Sequence, residues 1–146
     1  MSHALPFVHD DGGRAASGYR GDAGDCVVRA FSILLGRDYR EVYDDLAGRN
    51  KEIGRTRSAR DGVPMKVIHA FARDNGLRWT PTMSIGSGTT VHLRAGELPV
   101  VPLVARVTRH VCAVIDGTIR DTHDPSRDGT RAVYGYWSHE LPHTAG

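Results

Sequence analysis

The residues best suited to chemistry are one cysteine, one histidine and the acids that follow it. Cys26 stands in Gly24-Asp25-Cys26-Val27-Val28-Arg29-Ala30-Phe31, where a glycine-rich stretch gives way to an apolar periodicity. Farther along, Arg109-His110-Val111-Cys112-Ala113-Val114-Ile115-Asp116-Gly117-Thr118-Ile119-Arg120-Asp121 places a histidine and an acid in what reads as one β-hairpin. A cysteine at a helix start, followed by histidine and then acid, is the set of groups needed for attack by an activated thiol. The thiolate is the attacking species, so the cysteine needs a lowered pKa. A helix N-terminus contributes to this through unpaired N–H groups and the aligned dipole, and an imidazolium neighbour contributes more. Cys26 has the first by position and gains the second only if His110 folds back onto it.

The hairpin supports that convergence. With Asp116-Gly117 as a two-residue turn, Ile115 faces Thr118, Val114 faces Ile119, Cys112 faces Asp121 and His110 faces His123. Opposed residues share a face of a two-stranded ribbon, so Asp121 sits diagonally next to His110. A carboxylate there can accept the imidazole N–H, fix the tautomer and favour the charged ring. Asp124, directly before Pro125, is the competing acid, because a register slip or bulge would bring it to His110 instead. Asp121 is preferred, with Asp124 as the alternative. Cys112, set among valines and alanines, reads as a packing cysteine.

The elements that must position these groups follow from periodicity. Apolar residues at 26, 27, 30, 31, 34 and 35 mark a helix face, with Asp25 as N-cap and Gly36 as its stop. Asp38 with Glu41 forms a capping-box pattern for a second helix, whose stripe is Tyr39, Val42, Tyr43 and Leu46 and whose end is Gly48. Residues 49–62 read as a basic, polar and mobile connection. Pro64 opens a third helix striped by Val67, Ile68, Phe71 and Ala72 and ended by Asn75-Gly76; His69, among charged neighbours, reads as a surface histidine. Strand character begins at Leu77–Met83, passes a Gly/Ser/Thr turn at 84–90, and strengthens at Leu98–Val107, where Pro99 and Pro102 confine the first half to an edge or bend. After the hairpin a last strand is expected at Ala132–Trp137. Helices first and strands last predict an α+β fold, an N-terminal helical layer with the Cys26 helix packed on a C-terminal antiparallel sheet.

A chain of 146 residues with 40% hydrophobic and 25% charged content is expected to be one soluble domain spanning 1–146, with 1–20 as a partly ordered N-terminal arm. No apolar run approaches the roughly 20 residues needed to cross a bilayer, and residues 1–11 lack the pattern of a secretory signal. The expectation is a cytoplasmic protein, of the producing cell or of an infected host, with free thiols. A net charge of +2 does not argue for nucleic acid, although five basic residues lie between Arg49 and Arg60. Neither a metal nor any other cofactor is expected.

The segments Gly24–Ala30 and His110–Gly117, followed by Asp121-Thr122-His123-Asp124, resemble the papain-like cysteine peptidase superfamily in its compact form, as found in small phage and bacterial proteins. Tyr39-Arg40-Glu41-Val42 and Gly135-Tyr136-Trp137 extend the resemblance over about residues 20–138. It implies a nucleophile helix packed on an antiparallel half-barrel, with Cys26 as nucleophile, His110 as base and then acid, and Asp121 as orienter. The papain pattern carries a glutamine six residues before its cysteine, donating to the oxyanion. This chain holds Arg20 there and contains no glutamine, which leaves the Cys26 backbone N–H and another donor, Arg20 being the candidate. The implied activity is thiol-dependent hydrolysis of a peptide, isopeptide or amide bond in a protein or peptide substrate, through an acyl-thioester. The Cys-His-Asp order is also similar to transglutaminase-like proteins, which makes acyl transfer the alternative. The absent glutamine admits a third reading, a binding module that keeps the fold without turnover.

Overall fold

The first helix follows its sequence pattern residue for residue. In the computed structural model, which describes residues 4–19, 24–60, 62–83 and 91–139, α1 runs Cys26–Leu35 and stops at Gly36, whose φ of 63° is left-handed. Phe31 is fully buried, with its ring 5.5 Å from both Phe71 and Trp137 in edge-on contacts. Asp25 does not cap this helix: its side chain makes no capping bond. The carboxylate is turned inward, where Arg14, Arg29 and Tyr39 claim it.

The second helix, α2, spans Tyr39–Glu52, and Asp38 makes no side-chain capping bond, so the capping box does not form. Nor does Gly48 end it. The buried stripe of Leu46 and Ala47 is taken up again beyond the glycine by Asn50, whose Nδ2 donates to the Ser58 carbonyl at 2.7 Å. Against these contacts a helix-interior glycine costs only about 1 kcal/mol. The connection expected to be mobile is thus tied back at Ser58, and Ala59 is buried. The third helix, α3 (Met65–Asp74), begins after Pro64 and ends at Asn75, whose side chain donates to the Phe71 carbonyl. His69 is half-buried rather than on the surface: Trp137 Nε1–H donates to its Nδ1 at 3.3 Å, and Trp79 packs 5.0 Å from its ring.

The strands are β1 (Phe7–His9), β2 (Leu77–Pro81), β3 (Val91–His92), β4 (Leu103–Val107), β5 (His110–Ile115), β6 (Thr118–Asp121), β7 (Ala132–Val133) and β8 (Gly135–His139). Six form one sheet in the order β1-β6-β5-β4-β8-β2, antiparallel at every pairing except β1 with β6; β3 and β7 form a separate ribbon. The architecture is α+β. Alternate residues of β4 and β5 feed two cores, as a period of two requires. Val104, Val111 and Ala113 join Val28, Phe31, Val42 and Phe71 of the helical layer. Leu103, Ala105, Cys112 and Val114 join Leu93, Ile119 and Val133 on the opposite face. A sheet covered on both faces explains why residues 98–107 read as nearly unbroken apolar sequence, and β4 begins only after Pro102.

Two strands depart from the sequence reading. The expected strand Ala132–Trp137 divides at Tyr134, where the chain leaves its pairing with β3 and joins the main sheet between β4 and β2. The N-terminal segment is not a bare arm: Phe7, Val8 and His9 pair in parallel with Ile119, Arg120 and Asp121. Beyond that strand the chain turns against α1 at Gly12. A Cβ on Gly12 would lie 2.8 Å from the Arg29 carbonyl oxygen, and its φ of 70° is left-handed.

Candidate active site

Three elements meet at the start of α1. Cys26 is the first residue of that helix and half-buried, so its backbone N–H belongs to the unpaired first turn. His110 begins β5, directly after Arg109, which holds a left-handed φ of 55° at the turn from β4. Asp121 ends β6 and is buried. The Asp116-Gly117 turn has positive φ at both positions, 52° and 77°, the twist that suits a tight hairpin. The ladder runs Ile115↔Thr118, Val114↔Ile119 and Ala113↔Arg120, where it ends.

That early end matters for the thiol. Hydrogen bonding alternates along an antiparallel strand, so the Val111 N–H points the same way as that of Ala113, toward the side where β6 has departed. It donates to the Cys26 sulfur instead. The opening left by the parted strands is therefore where the helix presents its cysteine.

His110 lies between the thiol and the acid. Its Nε2 is 2.6 Å from Asp121 Oδ2, and it shares a hydrogen bond with Cys26; with Nε2 committed to the carboxylate, Nδ1 is the ring nitrogen left for sulfur. Burial pulls the imidazole pKa down, but the bonds to Asp121 and Cys26 and their charges outweigh it and hold the pKa at about 9. For Cys26, burial pushes the thiol up, yet the His110 bond and charge, the Val111 N–H and Arg29 bring it below the ordinary thiol value. Asp121 is raised by burial and lowered by His110, the Thr122 N–H and Arg29, with a net fall. The three shifts agree in sense: the arrangement favours thiolate, imidazolium and carboxylate together.

Asp124 is elsewhere. It is exposed and accepts the Ser126 N–H at 2.9 Å, closing its own turn. Cys112 is buried on the far face of β5, and burial pushes its thiol well up. Arg20 lies outside the described residues, as do residues 84–90. His123 is exposed, its ring centroid 5.1 Å from that of His110. Ligand atoms of His110, Asp121 and His123 lie within 4.8 Å of one another, the one such trio among the described residues.

Sequence reasoning missed the groups behind the site. Asp25 is 1% exposed and its Oδ2 receives Arg14 at 2.9 Å and the Tyr39 hydroxyl. Its Oδ1 binds Arg29, which also reaches Asp121 Oδ1 at 3.5 Å. The available signal was Arg29 itself, the one charge on an otherwise apolar helix. Compared with known proteins, the chain matches no family model, no curated protein and no solved structure. Among the described residues no helix is long and apolar enough to cross a membrane.

Proposed function

We propose that the chain is a thiol-dependent hydrolase with a papain-like core, acting on a peptide, isopeptide or amide bond. The supporting observation is His110 bonded on one side to Cys26 and on the other to Asp121, with the thiol lowered and the imidazole raised. In this reading the Cys26 thiolate attacks the substrate carbonyl, and the Cys26 N–H at the helix start receives the developing oxyanion. The tetrahedral adduct collapses as the C–N bond breaks, His110 giving its proton to the departing amine and leaving an acyl-thioester on Cys26. His110, now neutral, takes a proton from the incoming water, which attacks the thioester and releases the acid. Asp121 holds the ring in register throughout and is not itself protonated. The reaction invokes no cofactor, and a cytoplasmic protein or peptide substrate suits it.

Transfer to an amine in place of water, the transglutaminase-like alternative, uses the same first half-reaction. Its distinguishing test is a primary amine added in excess, which would appear in the product.

The direct test of the thiol is competition between the two cysteines. Iodoacetamide near neutral pH should label Cys26 much faster than Cys112, and a panel of aldehyde and vinyl-sulfone peptide probes should be captured at Cys26. Equal, slow labelling with no probe captured would leave a papain-fold binding module as the surviving reading.

A further inference from the structure

We propose that Arg29 is the positioning residue of the acid, fixing the Asp121 carboxylate so that Oδ2 faces His110, and that Asp25 holds Arg29 in that post. The proposal rests on the triad reading above and adds to it the device that aligns the triad.

The geometry has three parts. First, the two oxygens of Asp121 are divided between different partners. Oδ1 accepts the Thr122 N–H at 2.7 Å and faces both the Thr122 hydroxyl and Arg29 Nη2 at 3.5 Å, which leaves Oδ2 for His110 at 2.6 Å. A carboxylate turns freely about its last bond, and three donors on one oxygen, of which Arg29 is the one that comes from α1, remove that freedom. Second, the cation is itself held. Arg29 Nη1 binds Asp25 Oδ1 one helical turn back, and Asp25 Oδ2 is in turn fixed by Arg14 and by Tyr39 of α2. The side chains of Arg29, Asp25 and Asp121 are only 9%, 0% and 4% exposed, so these charges see little solvent screening. Third, Cys26 and Arg29 are three residues apart on one face of α1. The rigid body that presents the sulfur therefore also presents the guanidinium, so helix and hairpin are indexed to each other through two contacts.

Charge balance fits this role. Arg14, Arg29 and the His110 imidazolium face Asp25, Asp121 and the Cys26 thiolate, alternating along a chain of contacts. Moving the proton from sulfur to ring redistributes charge inside a cluster that stays neutral overall. A planar fork able to face two carboxylates at once is needed at position 29, and lysine, a single charged point, does not supply it.

The experiment compares wild type with Arg29→Lys in the full chain, following the pH dependence of Cys26 alkylation by iodoacetamide and the His110 ring titration by NMR. The groups facing His110 are Cys26, Asp121 and His123, with Arg29 behind Asp121, so the ring signal reports on this network. The expected result is a rate near neutral pH at least 10-fold lower, an acid limb moved toward higher pH and a His110 titration moved downward, in a protein that still melts cooperatively. A purely structural arginine would lower the melting temperature and leave both profiles in place, and that result overturns the proposal. If wild-type Cys26 is itself no faster than Cys112, the triad reading fails before the variant is considered. Should the lysine protein not fold, Asp25→Asn keeps the guanidinium but loosens its anchor; the same displacement is expected, and an unchanged profile overturns the proposal.

Discussion

Cys26 and Arg29 stand one turn apart on α1, and each is bonded to a different member of the His110–Asp121 pair. The helix thus touches both members of the pair that the hairpin presents. Its N-terminal dipole is only part of what conditions the thiol, because side-chain contacts along the same face add to it.

One prediction concerns pH. The Cys26 thiol is lowered, by the His110 bond and charge against its own burial, while His110 titrates at about 9. Alkylation by a neutral reagent should therefore reach half its maximal rate at a pH below that of an ordinary thiol. Turnover of an amide needs thiolate and imidazolium together, so it should describe a bell whose alkaline limb lies near 9. An alkylation profile rising only across the ordinary thiol range of roughly 8–9 would show that the ion pair does not form.

The two acids are separable by mutation. Asp121→Asn should lower amide turnover by on the order of 10²–10⁴-fold, whereas Asp124→Asn should leave it within about twofold and disturb only the turn at Ser126. Because the folded Asp121 carboxyl is held below its ordinary value, its contribution to stability is complete above about pH 4 and lost as pH falls through the lowered value. The Asp121→Asn protein should accordingly lose part of the acid limb of its unfolding profile. Equal kinetic effects at 121 and 124 would contradict the geometry.

Removing the sulfur should be visible on the ring. In Cys26→Ala, two of the influences that raise His110, the hydrogen bond and the charge from sulfur, are gone. The His110 titration should therefore move down from about 9, read by NMR of the imidazole. A titration that stays in place would mean that thiol and ring are not in contact.

Two substitutions away from the reacting atoms test the scaffold by urea unfolding. Tyr39→Phe deletes the hydroxyl that donates to Asp25 and accepts from Arg14. Loss of a hydrogen bond between buried charged partners should cost about 1–3 kcal/mol. Gly12→Ala places a methyl 2.8 Å from the Arg29 carbonyl oxygen at a left-handed φ and should cost a comparable 1–3 kcal/mol, on the order expected for overpacking and backbone strain. A protein with alanine at position 12 as stable as wild type would mean the segment does not press on α1.

What the sequence made legible was local. The span of α1 follows from the i, i+3, i+4 recurrence and Gly36, and the hairpin register follows from Asp116-Gly117, since a two-residue turn admits one pairing. What stayed hidden depended on partners remote in sequence. Phe7–His9 is short and exposed along its length, so it carries no alternation, and its pairing lies in β6. Gly48 signals a stop that Asn50 and Ser58 override. Asp25 looks like a cap, because nothing local shows that Arg14 and Tyr39 will draw its carboxylate inward. His69 looks solvated because Trp79 and Trp137 arrive from the sheet.

The parallel pairing of residues 7–9 with 119–121 sets an order of events as well as a shape. It closes a loop of roughly a hundred residues, the kind of contact whose entropy is recovered late in folding. A nascent chain leaving the ribosome exposes Cys26 long before His110 or Asp121 has been made. For that interval its thiol is an ordinary one, because His110 and the Val111 N–H reach it only when β5 packs against α1.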